Sequence, residues 1–207
     1  MDLDPATLPP RDRHLLLTGL VVPRPIAWVS TLAADGTPNL APYSFFALVS
    51  SSPATVVVSV GSRGGVPKDT LVNAEATGEL VINVVGRESV AAMNATSVEA
   101  GPDLDEFAFA GVTAAPSAVV RPPRVAEARA HREARVVQVV PIPDDAGHVE
   151  NRLIVARVVH VHLDDALFDP PHRVDVRDLD PVARLAGLAY AGLGELFDLP
   201  RPAAPGA

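Results

Sequence analysis

The chain contains no cysteine, a single lysine and few aromatic residues. Without cysteine, the sequence excludes disulfides, thiolate catalysis and zinc or iron–sulfur sites built on cysteine. Its apolar runs, such as TVVVSV at residues 55–60, are far too short to span a bilayer. The formal net charge of −8 argues against a nucleic-acid partner, because phosphate backbones require a basic surface.

What the chain does have is enough apolar material for a core. It has 207 residues, of which 48% are hydrophobic, so we expect a single domain over residues 1–207. The core of that domain is expected at about residues 15–190, followed by a flexible C-terminal tail. The first ten residues are acidic and proline-rich and contain no apolar segment typical of a secretory signal. We therefore expect a cytoplasmic protein with no membrane association.

Twenty-one prolines divide the chain into short elements. Asp69 or Thr70 is available as the N-cap of a helix that Gly78 would end, and a further short helix is expected in the tail from Asp178. The pattern predicts a hairpin of strands 25–31 and 37–46, two further strands at 54–61 and 79–85, two helices at 69–78 and 88–97, and a long hairpin of strands 133–142 and 152–163. Short strands without regular βα alternation indicate a mainly β protein, an antiparallel barrel that is closed or partly closed.

The only lysine, Lys68, stands where a glycine-rich loop meets the predicted helix. A helix N-terminus offers unpaired N–H groups and about half a positive charge, and the Thr70 hydroxyl could add a donor. These features predict a site for a phosphate group. The alternative is a surface lysine before an ordinary capped helix, because the spacing matches neither a P-loop nor a GxGxxG motif.

Residues 38–53 combine aromatic side chains, hydroxyl groups and three prolines. Prolines that flank a strand place it at a sheet edge or a bulge. Backbone N–H groups near Ser44 and Phe45 would then be free to bind a planar heterocycle. The alternative is that Phe45 and Phe46 are core residues.

Three other groups of polar residues are candidates for a ligand or metal site. Asn94 and Thr96 could donate hydrogen bonds to a ligand. The acidic residues at 103, 105 and 106 fit a solvated helix cap better than a calcium loop, because the alternating ligand spacing is missing. His160 and His162 lie two apart on a predicted strand and so share one face, but no third ligand accompanies them and no metal site is assigned.

Taken together, several segments resemble the flavin reductase-like family of FMN-binding split barrels. The matching segments, in order, are 23–53, 68–85, 93–97, 105–113 and 184–195. The resemblance implies a mainly β, six-stranded antiparallel split β-barrel, with FMN as cofactor near the interface of a homodimer. Members often have Glu-Cys where this chain has Glu133-Ala134.

The resemblance also assigns roles to residues, with no catalytic side chain and no metal ligand among them. Ser59, Lys68, Asp69 and Thr70 would surround the FMN phosphate, where a compact ammonium suits better than a planar guanidinium. The remaining flavin-contacting residues implied by the motifs are Trp28, Ser30, Thr31, Ser44, Phe45, Phe46, Asn94 and Thr96.

The resemblance therefore implies an FMN-binding flavoprotein that transfers hydride from NADH or NADPH to flavin and possibly supplies a partner monooxygenase. One alternative is an FMN-binding electron-transfer or storage protein without nicotinamide activity. Another is a pyridoxamine-phosphate-oxidase-like or haem-binding relative on a similar barrel. The chemistry would belong to the cofactors, and the protein would supply position and electrostatics.

Overall fold

The backbone is built mostly from antiparallel strands, with short helices between them. In this computed structural model, residues 1–170 and 172–204 are described. Within them the α-helices are α1 (Pro10–Leu20), α2 (Asp69–Thr77), α3 (Val90–Ala95), α4 (Glu106–Ala110) and α5 (Val176–Leu179). Single turns of 3₁₀ helix lie at Pro5–Thr7, Arg87–Ser89 and Asp165–Leu167.

The strands fall into one large sheet and several short pairs. In chain order they are β1 (Arg24–Pro25), β2 (Ala27–Leu32), β3 (Pro38–Tyr43), β4 (Phe46–Ser51), β5 (Ala54–Arg63), β6 (Val66–Pro67), β7 (Glu79–Val84), β8 (Ala114–Ala115), β9 (Arg124–Val125), β10 (Ala130–Pro143), β11 (Val149–Leu163), β12 (Phe168–Asp169), β13 (Arg173–Val174), β14 (Ala183–Arg184) and β15 (Tyr190–Ala191).

The large sheet has the order β3-β2-β7-β10-β11-β5-β4, with β6 added beside β5. Its two edge strands, β3 and β4, follow each other in the chain and are separated only by Ser44 and Phe45. The Ser59 N–H donates to the Phe45 carbonyl at 2.8 Å, so this corner is fastened to β5. The sheet therefore curls until its edges meet at one corner, which makes a split barrel. It contains eight strands, so the expected number of six is not confirmed.

Alternating side chains on the strands serve two cores, as the period of two in a strand requires. On β2, Ala27 and Val29 pack inside the barrel together with Leu71 of α2. Trp28, between them, packs on the outer face with Met93 of α3 and Phe107 of α4. Helix α2 thus closes the barrel from within, while α3 and α4 cover its outside.

Residues 116–125, which we call the strap, cross the outer face of the barrel. Ser30 donates its hydroxyl hydrogen to the Pro123 carbonyl, and the Asn83 amide oxygen accepts the Val125 N–H at 2.9 Å. Glu133 is fully buried and accepts hydrogen bonds from the backbone N–H groups of residues 118–120. Polar side chains from β2, β7 and β10 thus hold the strap in place.

The predicted elements correspond closely to these strands and helices, with four corrections. The N-cap of α2 is Lys68, not Asp69 or Thr70, and Gly78 ends the helix in the left-handed conformation as expected. Helices α1 and α4 were missed; α1 buries only Thr18, so its sequence lacks a clear apolar stripe.

Two corrections concern acidic and terminal residues. Asp105 caps α4 as expected, but Glu106 is buried instead of solvated. The short helix expected in the tail from Asp178 corresponds only to α5, which begins at Val176 and ends at Leu179, and residues 192–204 contain no helix or strand. The last three residues of the predicted tail lie outside the described residues. None of the described helices is long and apolar enough to cross a membrane.

Candidate functional site

Three adjoining cavities run along the corner of the split barrel. The first, of about 360 Å³, lies at Lys68 and is called the lysine cavity. The second, of about 540 Å³, lies between Tyr43 and Tyr190 and is called the tyrosine cavity. The third, of about 770 Å³, lies beneath α1 and is called the helix cavity. The first two share Pro42, Tyr43 and Ser97 and form one groove; Ser44 joins the second to the third.

The lysine cavity is built around the N-terminus of α2. The Lys68 carbonyl accepts the N–H groups of Leu71 and Val72 at 2.9 and 3.1 Å. The preceding N–H groups, of Asp69 and Thr70, have no acceptor among the described residues, and both residues line the cavity. Free N–H groups at the start of a nine-residue helix are the donors that anions bind.

Lys68 supplies a positive charge at the same point. Its ammonium lies 5.7 Å from the centre of the Tyr43 ring, and no carboxylate lies within ion-pair distance among the described residues. The second cation of the cavity, Arg63, donates to the Ala100 carbonyl at 3.0 Å. The cavity therefore combines two cations with free backbone donors, which fits a phosphate group.

Two carboxyl groups also line the lysine cavity, at Asp69 and Glu106. Burial raises the pKa of Glu106, although the hydrogen bond from the Leu40 N–H, at 3.0 Å, opposes the rise. The hydrogen bond from the Leu40 N–H partly compensates the negative charge of Glu106, so this carboxyl group repels an anion less than a free carboxylate does. The group of Asp69 that suits an anion is its backbone N–H and not its carboxylate.

Tyr43 forms the wall between the two parts of the groove. Burial raises the pKa of Tyr43 to about 12, while its hydrogen bond with Thr70 opposes the rise. Thr70 in turn accepts from the Asn39 amide at 2.9 Å. The phenol is therefore neutral at ordinary pH, and its ring offers the groove a fixed planar surface.

The tyrosine cavity places aromatic, amide and guanidinium groups around one space. The Tyr190 hydroxyl donates to Asn94 Oδ1 at 3.0 Å, and the Arg184 guanidinium lies 4.5 Å from the centre of the Tyr190 ring. Ser44 also lines this cavity and accepts from Arg24 Nε at 3.3 Å. Such a mixture of flat apolar surface and a few polar groups is typical of a cofactor site.

The structure therefore brings part of the predicted set together. Along the groove lie Ser44, Lys68, Asp69, Thr70, Asn94 and Thr96. Phe45 and Phe46 lie beyond Ser44, in the wall of the helix cavity. Ser59 is half-buried on β5 and lines none of these three cavities.

Three other predicted residues lie behind the groove rather than in it. Trp28 is fully buried and donates to Thr96 Oγ1 at 2.9 Å. Thr31 is fully buried and accepts from the amides of Asn39 and Asn73, both at 3.1 Å. Ser30 belongs to the strap contacts. Trp28 helps to position Thr96, and Thr31 helps to position Asn39, and both of these partners line the lysine cavity.

Sequence reasoning missed several residues that line the groove. Tyr43, Ser97, Arg184 and Tyr190 were not assigned to the site. Arg184 and Tyr190 lie about 140 residues beyond Tyr43 in the chain, and β14 brings them near by pairing with β1. Position in the matching segment 184–195 was their only signal in the sequence.

The histidine pair on β11 sits elsewhere. The rings of His160 and His162 lie 4.7 Å apart, and His162 Nε2 bonds to Glu133 beneath the strap. Among the described residues, no group of three or more His, Cys, Asp or Glu side chains could hold a metal ion.

Comparison with known proteins gives consistent matches over nearly the whole chain. A family model described as "Flavin reductase like domain" matches residues 19–180. A protein of Halalkalibacterium halodurans is 40% identical over 98% of this chain and 97% of its own length.

Two solved structures extend the comparison to the fold. Nitrilotriacetate monooxygenase component B from Bacillus cereus is 35% identical, with a TM-score of 0.93 over 96% of this chain and 98% of its own. Pseudomonas fluorescens 2-nitrobenzoate 2-nitroreductase is 26% identical, with a TM-score of 0.88 over 98% and 96%.

Proposed function

Because the chain belongs to the flavin reductase-like family, we propose that it binds FMN in the groove and transfers hydride from NADH or NADPH to this flavin. The observation that carries the proposal is the lysine cavity, where Lys68 and two unpaired N–H groups of α2 converge. These groups suit a dianionic phosphate. The continuous groove then leads past Tyr43 to the tyrosine cavity, which suits the flavin ring.

The protein residues in this proposal bind and orient, and none needs to act as an acid or base. Flavin supplies the hydride chemistry when it is bound. Lys68, Thr70 and the N-terminus of α2 would hold the phosphate. Tyr43, Asn94 and Tyr190 would fix the plane of the ring, and Ser44 would offer it a hydroxyl at the corner of the barrel.

The experiment that tests the proposal has two stages. The purified protein should absorb at about 450 nm as flavin does, and not at about 400 nm as haem does. Rapid mixing of FMN-loaded protein with NADH and, separately, with NADPH should then bleach the flavin band. Flavin binding without bleaching by either donor would favour the alternative of an electron-transfer or storage protein.

We propose further that the reduced flavin serves a partner monooxygenase. The support is that the 35% identical structure is itself a component of a monooxygenase. If reduced FMN leaves the protein, an added FMN-dependent monooxygenase without bound flavin should take up the reduced FMN and oxygenate its substrate with O₂ at a rate set by this protein. A bleached flavin that stays bound in every mixing experiment would count against this role.

We propose also that the protein is a homodimer and works in the cytoplasm. Its support is exposed apolar surface on the outside of the barrel, including Leu48 and Val49 of β4, Val137 of β10 and Val159 of β11. Exposed patches of this kind are often covered by a second copy. Sedimentation of the FMN-loaded protein at micromolar concentration should give a dimer, and a monomer with FMN still bound would contradict it.

A further inference from the structure

Helix α1 stands away from the barrel and roofs the helix cavity. Only Thr18 of this helix is buried. The residues of α1 that face the cavity form one helical stripe, with the spacing that a period of 3.6 requires: Pro10, Arg13, His14, Leu17 and Thr18. The other wall of the cavity holds Phe45 and Phe46. A space of about 770 Å³ thus separates a helix from an aromatic surface.

The floor of the cavity is apolar and partly exposed. Phe45 keeps 48% of its surface accessible, and the His14 ring lies 6.4 Å from its centre. Leu17, at 45% exposure, faces the same space from the helix. Apolar side chains arranged in this way are suited to a flat aromatic molecule.

The charges around the cavity are mainly positive. Arg13 is half-buried, and its side chain has no hydrogen bond or ion pair among the described residues. Arg24 is 6% exposed and bonds to the carbonyls of Thr18 and Val21 at the end of α1, without a carboxylate partner among these residues. Glu150 is the only acidic residue lining the cavity in the described part of the chain.

The two arginines differ in how many of their hydrogen-bond donors are already used by the protein. Arg24 holds the C-terminal carbonyls of α1 and also donates to the Leu185 carbonyl at 2.8 Å, so its hydrogen bonds are largely used by the protein. Arg13 retains its full set of guanidinium donors, which match a carboxylate in a two-bond arrangement. Ser44 links this cavity to the tyrosine cavity, so a ligand here would lie beside the proposed flavin ring.

We propose that the helix cavity is a second binding site, for a small aromatic carboxylate whose ring packs on Phe45 and Phe46 and whose carboxylate binds Arg13. As a site beside flavin, it rests on the proposed function. Binding itself depends only on the chain's own residues, so it can be measured apart from any turnover.

The test uses isothermal titration of the protein, with FMN and separately without it, with 1-naphthoate and with its neutral counterpart 1-naphthamide. We expect naphthoate to bind about tenfold more tightly, because only the carboxylate gains the charged hydrogen bonds. Arg13→Gln should remove that preference. Arg11→Gln is the matched control, because Arg11 lies on the same helix, is exposed and does not line the cavity. Arg24 is left intact because it holds α1.

The outcomes separate this inference from the proposed function. Naphthoate binding that depends on Arg13 and not on Arg11 supports the site, and it does so even if the protein binds no flavin. Flavin-loaded protein that binds neither naphthoate nor naphthamide overturns the site and leaves the proposed function standing. Equal binding of the two probes, or an Arg13→Gln effect on NADH binding alone, also overturns it, and the second result would assign the cavity to the nicotinamide.

Discussion

The polar residues of the groove and those beneath the strap differ in how their hydrogen bonds are completed. In the groove, Lys68 and the first N–H groups of α2 face a cavity and lack partners among the described residues. Beneath the strap, Glu133 is fully buried and its two oxygens accept from three backbone N–H groups and from His162. We infer that the groove keeps its donors for a ligand, whereas the strap residues hold the fold together.

The pKa values express the same difference. Burial alone would raise the pKa of Glu133, but the bonds from Ala118, His162, Val119 and Val120 lower it to about 2. Burial lowers the pKa of His131 to about 4, against the opposing effect of its bond to Val125. Both residues therefore keep the ionisation state that the fold requires at neutral pH, a carboxylate and a neutral imidazole.

The largest expected effect comes from breaking the strap network. Glu133→Ala leaves three backbone donors and His162 without their acceptor, so the free energy of unfolding should fall by about 3–5 kcal/mol. Urea unfolding, monitored by circular dichroism, measures this loss. Glu127→Ala is the control, because Glu127 is exposed and, among the described residues, accepts only from the Thr113 N–H; it should cost less than about 1 kcal/mol. Equal losses in Glu133→Ala and Glu127→Ala would mean that the Glu133 bonds to the strap stabilise the fold no more than an exposed hydrogen bond does.

Acid should weaken the strap without any mutation. His131 Nε2 lies 2.7 Å from the Val125 carbonyl, which can only accept, so Nε2 carries the proton and buried Nδ1 has no partner among the described residues. Because the pKa of His131 is lower in the folded chain, the unfolded chain binds the extra proton first. The contribution of His131 to the free energy of unfolding should therefore be fully present above about pH 6.5 and be lost as the pH falls toward about 4. The total loss should be on the order of 3 kcal/mol.

Two features check the origin of this acid effect. Urea unfolding between pH 7.5 and pH 4.5 should show the fall, and His131→Gln, which cannot titrate, should flatten it. Below about pH 4.5 the loss should continue as the unfolded chain protonates Glu133, whose folded pKa is lower. A pH profile in His131→Gln that matches the unmodified protein would assign the effect to other groups.

In contrast to the strap, a substitution in the groove should change ligand binding and leave the stability of the fold almost unchanged. Lys68→Ala should weaken FMN by about 1.5–3 kcal/mol, or about ten- to a hundredfold, because it removes a charged donor to the phosphate. Riboflavin, which has no phosphate, should bind almost as before, and Lys68→Arg should recover part of the loss. Titration of apoprotein with both flavins measures the difference. Equal weakening of both flavins would show that Lys68 does not bind the phosphate, and Arg63 would be the next candidate.

The smallest effect is optical. Trp28 is the only tryptophan and donates to Thr96, which lines the lysine cavity. Adding FMN to apoprotein should therefore quench the tryptophan emission after inner-filter correction, and riboflavin should do so as well. Trp28→Phe provides the baseline. Unchanged emission on saturation with FMN would place the ring farther from β2 than the proposed groove allows.

Local patterns in the sequence were enough to find most elements and one end of the groove. Short apolar, β-branched runs between turn residues located the strands, and the glycine-rich loop together with Gly78 located α2, because these signals depend on neighbours a few residues apart. Helix α1 was missed because its residues pack on so little of the protein. The eight-stranded order of the sheet depends on pairings between distant segments, which no local pattern specifies.

What the sequence alone determined is the mainly β fold, the family resemblance and the solitary lysine at a helix start. Only the tertiary structure separated Lys68 and Thr70, which line the groove, from Ser30 and Trp28, which are buried behind it. The physical reason is that successive residues of a strand face opposite sides, and which side holds a cavity depends on what packs there. Arg13, Arg184 and Tyr190 became candidates only when α1 and β14 were seen beside the corner of the barrel.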